Sequence, residues 1–305
     1  MARILAGIIL YNTEINRLLL EINSIYNQVD AVCILDNGSS NWKDVYKKII
    51  ELHLSNLIVL EEKSNLGIGG ATNKIFAKAE KEGFEWVLTL DHDTICPDNM
   101  IKKYKTYLNC PRVGVICPSV VDPNVAINTW KGSAEYEIEK VDRCIQSGAL
   151  VSVESWKKAK GFDEWMFIDF VDFDFCMRMK VCRYDVIRCN SVCIDHQLGN
   201  RVQTKMASLF NGLASYTELD VFKYFTYVNV FSPSRVYYTT RNNIVYIYKY
   251  KEYINTRKEW MDFGGRIIKR ILRSKHKAMI VRETIHGIKD AVKYLGEEDD
   301  FENKT

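Results

Sequence analysis

The feature that most constrains the fold is a regular alternation, over the first 118 residues, of short apolar runs with segments of helical periodicity. The apolar runs have the length of strands buried on both faces, and they occupy residues 3–10, 31–35, 56–60, 85–90 and 113–118. Between them, apolar residues recur at helical spacing in residues 14–26, 42–54, 69–84 and 99–108. This alternation predicts an α/β fold with a mostly parallel central sheet flanked by helices.

The pattern changes after residue 118. Polar and apolar residues alternate over about 119–153, as in meander or hairpin strands, residues 171–183 have a helical period, and residues 185–195 are typical of paired short strands. The chain after about residue 200 is predicted to be mainly helical, and its acidic end, "GEEDDFENKT", to be frayed. We therefore predict one domain over residues 1–200, with halves of about 1–118 and 119–200, and a helical C-terminal extension over 201–305.

Composition and charge restrict the class of protein and its compartment. A net charge of +3 is too small to indicate a nucleic-acid-binding protein. Nine cysteines, an odd number without a CxxC pair, lie mostly in apolar stretches and favour a reducing, cytosolic compartment. The apolar N-terminal run is too short for a signal peptide, and no apolar stretch approaches the roughly 20 residues that cross a bilayer. We expect a soluble or peripheral protein.

Two carboxylates follow the fourth apolar run, in "EWVLTLDHDTICPD". Asp91 and Asp93 flank His92 at the point where the predicted strand ends. Two close carboxylates repel each other unless a cation joins them, and Mg²⁺ or Mn²⁺ prefers such oxygen ligands. A metal–diphosphate site is therefore one interpretation, and a solvated turn in which an Asp caps the next helix is the other.

Polar residues and glycines also follow the first three predicted strands. Because the carboxyl ends of parallel strands meet at one edge of a sheet, these residues should line a common ligand-binding crevice. Glycines there allow a ligand to approach the backbone closely, and the next helix offers its N-terminal amides. The residues are Tyr11, Asn12, Asp36, Asn37, Ser39, Asn65, Gly67, Gly69, Gly70 and Asn73.

A second acidic cluster lies in "FIDFVDFDFCMRMK", where a helix is predicted to begin near Val171. Asp172 falls in its first turn among aromatic residues, where a partly desolvated carboxylate can act as a general base. For Asp169 and Asp174, capping of the helix start is an equal alternative. His196 precedes a Gly-containing loop and is a candidate ligand for metal or phosphate.

Together these motifs resemble the inverting family 2 glycosyltransferases of GT-A fold, in particular bacterial rhamnosyltransferase-like members of polysaccharide pathways. The resemblance covers about residues 4–199. Its matching segments are Tyr11-Asn12, "LDNGS", "NLGIGGATN", "LDHD", "SGALVS", "GFDEWMFIDFVDFDFCMR" and "HQLG". Many family members have Glu where this chain has Val171, and Val at that position is common in the rhamnosyltransferase-like subgroup.

The resemblance implies a role for each matching residue. Asp172 would be the catalytic base, Asp93 and His196 would bind a divalent metal, Mg²⁺ or Mn²⁺, and the acceptor would be bound by Trp165, Phe167, Asp169 and Arg178. The nucleotide sugar would be bound, in the first half of the domain, by Tyr11, Asn12, Asp36, Asn37, Ser39, Asn65, Gly67, Gly69, Gly70, Asn73, Asp91 and His92.

The implied reaction is metal-dependent transfer of a sugar, first of all rhamnose from dTDP-rhamnose, to a saccharide or lipid-linked saccharide acceptor. The resemblance also implies inversion at the anomeric carbon. The implied pathway is synthesis of a bacterial surface polysaccharide such as O-antigen or capsule. UDP-galactofuranose or another UDP-hexose is the alternative donor. The residues themselves leave two other classes open, a nucleotidyltransferase and a non-catalytic nucleotide-sugar-binding protein.

The C-terminal third is rich in tyrosine over residues 231–254 and strongly basic over residues 264–285. Basic amphipathic helices with aromatic neighbours fit an anionic membrane surface, which would suit a lipid-linked acceptor. A packed helical subdomain with a solvated basic face is the alternative, and single-stranded nucleic-acid binding is a third interpretation. We expect a cytoplasmic protein, peripheral on the inner face of the cell membrane if the first interpretation holds.

Overall fold

The computed structural model of the chain describes residues 2–92, 94–121, 132, 135–195, 201–204, 206–217, 226–229, 231–274 and 276–302. The described residues form two compact units. The first contains those up to Phe167 and those from Val171 to Asp195. The second contains residues 168–170 and the described residues after 200. Among the described residues, the chain thus enters the second unit at residues 168–170, returns to the first at Val171, and belongs to the second again after residue 200.

The first unit is built on an eight-stranded sheet with the strand order β3-β2-β1-β4-β7-β5-β8-β6. Strands β1 to β4 are mutually parallel, as are β5 and β8, whereas β7 and β6 run antiparallel to their neighbours. The strands are β1 (Ile4–Leu10), β2 (Ala31–Asn37), β3 (Leu57–Glu62), β4 (Trp86–Asp91), β5 (Val113–Val121), β6 (Ile138–Lys140), β7 (Ala149–Ser152) and β8 (Asp185–Asp195). The predicted, mostly parallel α/β sheet is confirmed.

Helices connect the strands of this sheet. They are α1 (Ile15–Ile25), α2 (Trp42–Ile50), α3 (Gly67–Lys81), α4 (Met100–Lys105), α5 (Val153–Lys158) and α6 (Val171–Val181), with 3₁₀ turns at Tyr26–Gln28 and Glu164–Met166. Strands β1 and β2 are buried along their whole length, because they lie inside the sheet. Each Ile or Leu that becomes fully buried contributes roughly 1.5–3 kcal/mol.

Two segments differ from their sequence-based predictions, and a third lies partly outside the described residues. Residues 185–195 form one continuous strand, and its pairing register with β5 shifts between Pro118 and Ser119, as at a β-bulge. That irregularity explains why the sequence is typical of two short strands. Residues 143–155 are predicted to form hairpin strands, but only β7 forms a strand there. The strand ends at Ser152, whose hydroxyl caps α5 by accepting a hydrogen bond of 3.4 Å from the Ser155 amide. Half of the predicted meander over 126–141 lies outside the described residues, and β6 lies in the half that the structure describes.

The second unit is mainly helical, as predicted. Its helices are α7 (Ala207–Thr217), α8 (Pro233–Lys249), α9 (Thr256–Arg273) and α10 (Lys277–Glu302), and a two-stranded ribbon pairs β9 (Arg201–Gln203) with β10 (Tyr227–Asn229). Residues 296–302, part of the acidic end that the sequence predicts to be frayed, continue α10. An ion pair of 3.8 Å between Lys293 and Glu297 joins successive turns there. Within the described ranges, no helix is both long and apolar enough to span a bilayer.

Helix α8 begins with clear local signals. Ser232 accepts a hydrogen bond from the Arg235 amide at 3.2 Å, and Pro233 occupies the first helical position. One face of α8 packs closely on α10, since a Cβ added to Gly287 would lie 2.7 Å from the carbonyl oxygen of Tyr237. The helix buries an unusual run of polar residues at its centre: Thr240, Arg241, Asn242 and Asn243.

Candidate functional site

The loops after β1 and β2 are joined by hydrogen bonds. The Asn12 amide donates to the Ser39 hydroxyl at 2.9 Å, and the side-chain oxygen of Asn12 accepts from Ser40. The buried carboxylate of Asp36 accepts from the Ser39 amide at 3.2 Å. Tyr11, beside them, is half exposed. The predicted donor-binding residues of these two strands therefore lie together at one edge of the sheet.

Asn37 organises the glycine-rich loop that precedes α3. Its side-chain oxygen accepts from the Leu66 amide at 2.8 Å, and its side-chain nitrogen donates to Asn65 at 3.1 Å. Asn65 in turn accepts from the Gly67 amide at 2.8 Å. The side chain of Asn37 is buried, with 2% of the residue exposed, and its amide group holds the loop through these hydrogen bonds. Its predicted contact with a nucleotide stays a prediction.

The glycines of this loop allow close backbone packing. Gly67 has a φ of 74°, and a Cβ there would lie 2.5 Å from the carbonyl oxygen of Phe167. That same oxygen accepts a hydrogen bond of 2.6 Å from the Ile68 amide. At Gly69 a Cβ would lie 2.7 Å from the carbonyl oxygen of Asp163. The loop therefore packs against residues 163–167, and donor contacts of Gly67, Gly69 and Gly70 stay predictions.

Asn73 joins α3 to the segment that follows α5. Its side-chain nitrogen donates to the Phe162 carbonyl and the Glu164 carboxylate at 3.0 and 2.9 Å. Its side-chain oxygen accepts from the Trp156 indole and the Phe162 amide at 2.9 and 2.8 Å. Since these four bonds use the whole capacity of the amide, Asn73 joins these segments, and its contact with a nucleotide sugar stays a prediction.

The end of β4 lies beside these loops in the sheet. Asp91 pairs with Ile9 of β1, and Asp36 pairs with Leu10 on the other side of β1, so about two strand spacings, or ~10 Å, separate the backbones of the two residues. Asp91 and His92 are both partly buried. Asp93 and His196, the predicted metal ligands, lie outside the described residues. The part of the chain that the structure describes holds no group of three His, Cys, Asp or Glu suited to a metal ion.

Asp172 lies in the first turn of α6, where its carboxylate accepts a hydrogen bond of 2.9 Å from the Phe173 amide. It lines a cavity together with Thr89 of β4, Gln146 and Phe162. The Thr89 hydroxyl donates to the Gln146 carbonyl at 2.6 Å. The candidate base therefore lies near both β4 and the "SGALVS" segment.

Sequence reasoning missed the polar residues that build this cavity wall. The Gln146 side chain donates to the buried Thr72 hydroxyl at 2.8 Å, which extends the network that begins at Thr89. One signal was available: Thr89 interrupts the apolar run of β4, and a buried polar side chain in a central strand needs a partner.

Arg178 is engaged within the first unit. Its guanidinium donates to Asp174 at 2.6 Å, to Asp163 at 3.0 Å and to the Ala159 carbonyl at 3.3 Å. The Asp174 side chain is completely buried. Arg178 thus neutralises a buried carboxylate one helical turn away, a function that the sequence did not predict, and its contact with an acceptor stays a prediction.

The other predicted acceptor-binding residues are close in sequence: Trp165 and Phe167 belong to the first unit and Asp169 to the second. The Trp165 amide is capped by Asp163 at 3.1 Å within a 3₁₀ turn, and Phe167 ends that turn. Asp169 belongs to the second unit, where its carboxylate bonds Arg235 and Thr239 of α8. Contact of these three residues with an acceptor stays a prediction.

A mostly parallel α/β sheet with polar loops at its carboxyl edge, and with a helix that opens on an acidic turn, agrees with a nucleotide-sugar transferase of GT-A fold. The chain belongs to the family described as Glycosyl transferase family 2, which it matches over residues 6–190. This match covers more than half of the chain and confirms the family that its motifs resemble.

Relatives and solved structures agree with this assignment. The chain is 27% identical over 191 residues to the dTDP-rhamnosyl transferase RfbF of Shigella flexneri. The aligned region covers 58% of this chain and 63% of that protein. The chain thus matches a little under two thirds of that relative's length.

Two solved structures share the fold at low sequence identity. The mannosyltransferase PcManGT of Pyrobaculum calidifontis, in complex with GDP-Man and Mn²⁺, has a TM-score of 0.55 at 14% identity, over 94% of this chain and 87% of that one. Residues 1–349 of S. aureus TarS give 0.51 at 12% identity, over 97% and 92%. At these identities the likeness shows the fold alone.

Proposed function

We propose that this protein is an inverting, metal-dependent glycosyltransferase that moves a sugar from a nucleotide diphosphate to a saccharide or lipid-linked saccharide acceptor. One observation carries the proposal: Asp172, at the start of α6, lines a cavity with Thr89, two residues before the β4 carboxylate Asp91. A candidate base thus lies close to the sheet edge at which nucleotides bind in open α/β sheets. Family membership supports the same reaction class.

The donor is bound at the ends of β1, β2 and β4 in this proposal. Tyr11, Asn12, Asp36 and Ser39 contact the base and ribose, and Asp91 and His92 lie near the ribose and diphosphate. The glycine-rich loop of Asn65, Gly67, Gly69 and Gly70, which Asn37 holds in place, borders the diphosphate. The donor proposed first is dTDP-rhamnose, because a relative is a dTDP-rhamnosyl transferase. UDP-galactofuranose or another UDP-hexose is the alternative.

Asp172 acts on the acceptor. Its carboxylate accepts the proton of the acceptor hydroxyl while the hydroxyl oxygen attacks the anomeric carbon from the side opposite the diphosphate. The new glycosidic bond forms as the sugar–phosphate bond breaks, so a single displacement inverts the anomeric configuration. Trp165, Phe167, Asp169 and Arg178 border the acceptor in this proposal. The pathway proposed is synthesis of a bacterial surface polysaccharide.

A divalent cation, Mg²⁺ or Mn²⁺, completes the proposed donor site. Asp93 and His196 would hold it. In the sequence, Asp93 follows shortly after the end of β4, and His196 directly follows β8. When bound there, it would stabilise the negative charge of the leaving diphosphate. A solved protein of the same fold binds Mn²⁺ together with GDP-Man, which supports the proposal.

Removal of the metal tests this part of the proposal. EDTA should stop transfer, and Mn²⁺ or Mg²⁺ added in excess of the chelator should restore it. Asp93→Asn should weaken Mn²⁺ binding in calorimetry, whereas Asp98→Asn, on an exposed residue of the same loop, should not. Full activity after exhaustive chelation would exclude a metal-dependent reaction.

A screen of nucleotide sugars tests the donor and the reaction class. A ligand that binds the folded state alone raises the unfolding temperature, so the true donor, with Mn²⁺, should give the largest increase. Incubation with that donor should then release nucleoside diphosphate slowly, and faster with an acceptor. A donor that binds but is never cleaved under any condition would favour the non-catalytic nucleotide-sugar-binding alternative.

A second proposal concerns the surface of the C-terminal helices, and one specific observation favours it. Helix α10 exposes Val281, Ile285, Ile288 and Val292, which follow the spacing of a single helix face; we refer to them as the α10 stripe. Exposed basic residues flank it: Arg282, His286, Lys289 and Lys293. Helix α9 likewise exposes Met261, Ile268 and Leu272.

We infer that this face binds an anionic membrane surface, where each nearby Lys or Arg contributes about 1 kcal/mol. Basic side chains border the stripe, and two of them, Arg282 and Lys293, also pair with Glu283 and Glu297 of the same helix. The proposed location is therefore cytoplasmic, peripheral on the inner face of the cell membrane, where a lipid-linked acceptor would be available.

Liposome flotation tests the membrane proposal. The wild-type protein should float with anionic vesicles at low salt, and Ile285→Glu with Ile288→Glu should abolish flotation. Leu20→Glu, at an exposed residue of α1 in the first unit, is the matched control and should float normally. If the α10 double variant floats as the control does, the stripe has no role in membrane binding. Concentration-dependent dimers that the α10 substitutions disrupt would also contradict such a role.

A further inference from the structure

The chain has an unusual backbone immediately before the helix that carries Asp172. Phe167 has φ 61° and ψ −62°, and Asp169 and Phe170 have φ values of 64° and 66°. Bulky L-residues rarely adopt positive φ, and γ-turn geometry of this kind is strained. Such conformations persist where the surrounding contacts determine them, so the contacts of residues 168–170 show what holds this part of the chain.

Helix α8 holds the backbone of this segment. Both hydrogens of the Asn242 side-chain amide are used, one on the carbonyl of Ile168 at 2.9 Å and one on the carbonyl of Asp169 at 2.8 Å. One helical turn further along, the ring of Tyr246 packs on the ring of Phe170 with 5.6 Å between centroids. Asn242 is completely buried, so water does not compete for these bonds.

The same helix also holds the side chain of Asp169. Its carboxylate pairs with the guanidinium of Arg235 and accepts a hydrogen bond of 3.0 Å from the Thr239 hydroxyl. Burial lowers the pKa of Arg270 on α9, and the negative charge of Asp169 opposes that shift, so a further cation acts on this carboxylate.

The four contacting residues of α8, at positions 235, 239, 242 and 246, recur at intervals of four, three and four residues. They therefore form one face of the helix. We call it the α8 clamp, and its contacts are with the three consecutive residues 168–170. Helix α6 begins at the next residue, Val171, and Asp172 follows.

We propose that the α8 clamp, and Asn242 above all, positions Asp172 for the proposed transfer reaction by fixing the backbone from which α6 starts. The proposal rests on the proposed function, because it assumes that Asp172 is the base. A general base must lie within about 3 Å of the oxygen whose proton it removes, and a displacement of ~1 Å costs about 10²-fold in rate. Asn242 is thus a positioning residue that does not touch the substrate.

Isosteric substitutions separate positioning from general stabilisation. Asn242→Asp keeps the shape of the side chain and its acceptor for the Arg241 guanidinium, but it removes both donors to residues 168 and 169. Thr239→Val is a milder second variant, which removes the hydroxyl from Asp169. Thr240→Val is the matched control: Thr240 is the next residue, is fully buried, and bonds the carbonyl of Val236 in its own helix.

The experiment uses the full chain and measures kcat and KM for transfer, donor Kd by calorimetry, and hydrogen exchange of residues 168–173. For Asn242→Asp we expect kcat to fall 10- to 100-fold, faster exchange of those amides and an unchanged donor Kd, with a smaller decrease in kcat for Thr239→Val. Thr240→Val should match the wild type. In a double variant with Asp172→Asn, Asn242→Asp should cause no further loss.

The outcomes distinguish the two proposals. If the wild type and Asn242→Asp transfer sugar with equal kcat, or if the double variant loses further activity, the positioning role is overturned and the proposed function stands. An equal decrease in kcat for Thr240→Val also overturns it, because general stabilisation of α8 would then account for the effect. If the wild type transfers sugar from no donor, or if Asp172→Asn is fully active, the proposed function itself has failed.

Discussion

At the scale of single residues, Asp172 is the group on which the proposed chemistry depends. Asp172→Asn keeps the size of the side chain and removes its basicity, so transfer should fall by about 10²–10⁴-fold. Donor affinity, measured by calorimetry, should stay unchanged because the donor does not need the base. The comparison is Asp142→Asn, whose side chain is 80% exposed and pairs with Lys180. Wild-type turnover in Asp172→Asn would exclude this residue as the base.

At Gly67, the packing of neighbouring residues and a positive φ angle both require a glycine. Gly67→Ala would place a methyl group 2.5 Å from a backbone carbonyl, at a φ of 74°. We expect a destabilisation on the order of 2–4 kcal/mol from strain and overlap. In contrast, among the described residues nothing lies within 4 Å of a Cβ added to Gly264 of α9. Gly264→Ala should stabilise the protein by roughly 0.5–1 kcal/mol, and urea unfolding measures both. Equal effects would contradict the packing described here.

At the scale of elements, two of the ion pairs of α6 differ in burial. Arg178 pairs with Asp174, whose side chain is 0% exposed, whereas the Lys180–Asp142 pair is exposed. Removal of one partner of a buried pair leaves an uncompensated charge, so Arg178→Met should destabilise the protein by roughly 3–5 kcal/mol. Lys180→Met should cost less than about 1 kcal/mol. Similar urea midpoints for the two variants would show that Arg178 is not needed to neutralise Asp174.

Elements also differ in how well their sequences predict them. Strands β1, β2 and β4 and helices α1 and α3 follow from hydrophobic periodicity, because each buries one continuous face or both faces. Strand β8 was predicted as two strands because a register shift with β5 breaks its alternation, and no local signal distinguishes a bulge from a turn. The α8 clamp was missed because it depends on contacts between residues about 70 positions apart.

At the scale of the whole molecule, the sequence predicted which strand ends come together but not what their polar side chains contact. The register of β1 with β2 and β4 brings Asp36 and Asp91 to one edge, as parallel strands require. By contrast, Asn73 and Arg178 use their hydrogen bonds within the fold. A motif predicts residue type and position, whereas the partner of each donor and acceptor depends on the packed structure.

The buried thiols predict how the stability of the whole protein depends on pH. None of the nine cysteines, all of which the structure describes, forms a disulfide, and six are buried. Burial raises the pKa of the Cys33 and Cys96 thiols from the ordinary value of about 9 to about 12. Below pH 9 both thiols are protonated in the folded and unfolded states. Between pH 9 and 12 the unfolded chain loses these protons and the folded chain keeps them. The free energy of unfolding should therefore fall by up to about 1.4 kcal/mol per pH unit for each thiol.

Urea unfolding with a reductant, at several pH values from 8 to 10.5, measures this slope. The double variant Cys33→Ala/Cys96→Ala should start less stable at pH 8, because two buried side chains are shortened, but it should lose stability more slowly above pH 9. Other groups that titrate in this range, such as Tyr104, whose pKa burial raises, are present in both proteins, so the difference between the slopes isolates the two thiols. Cys193→Ala, at the exposed cysteine, should leave the slope unchanged. Parallel slopes for the wild type and the double variant would mean that these thiols ionise as readily inside the fold as in the unfolded chain.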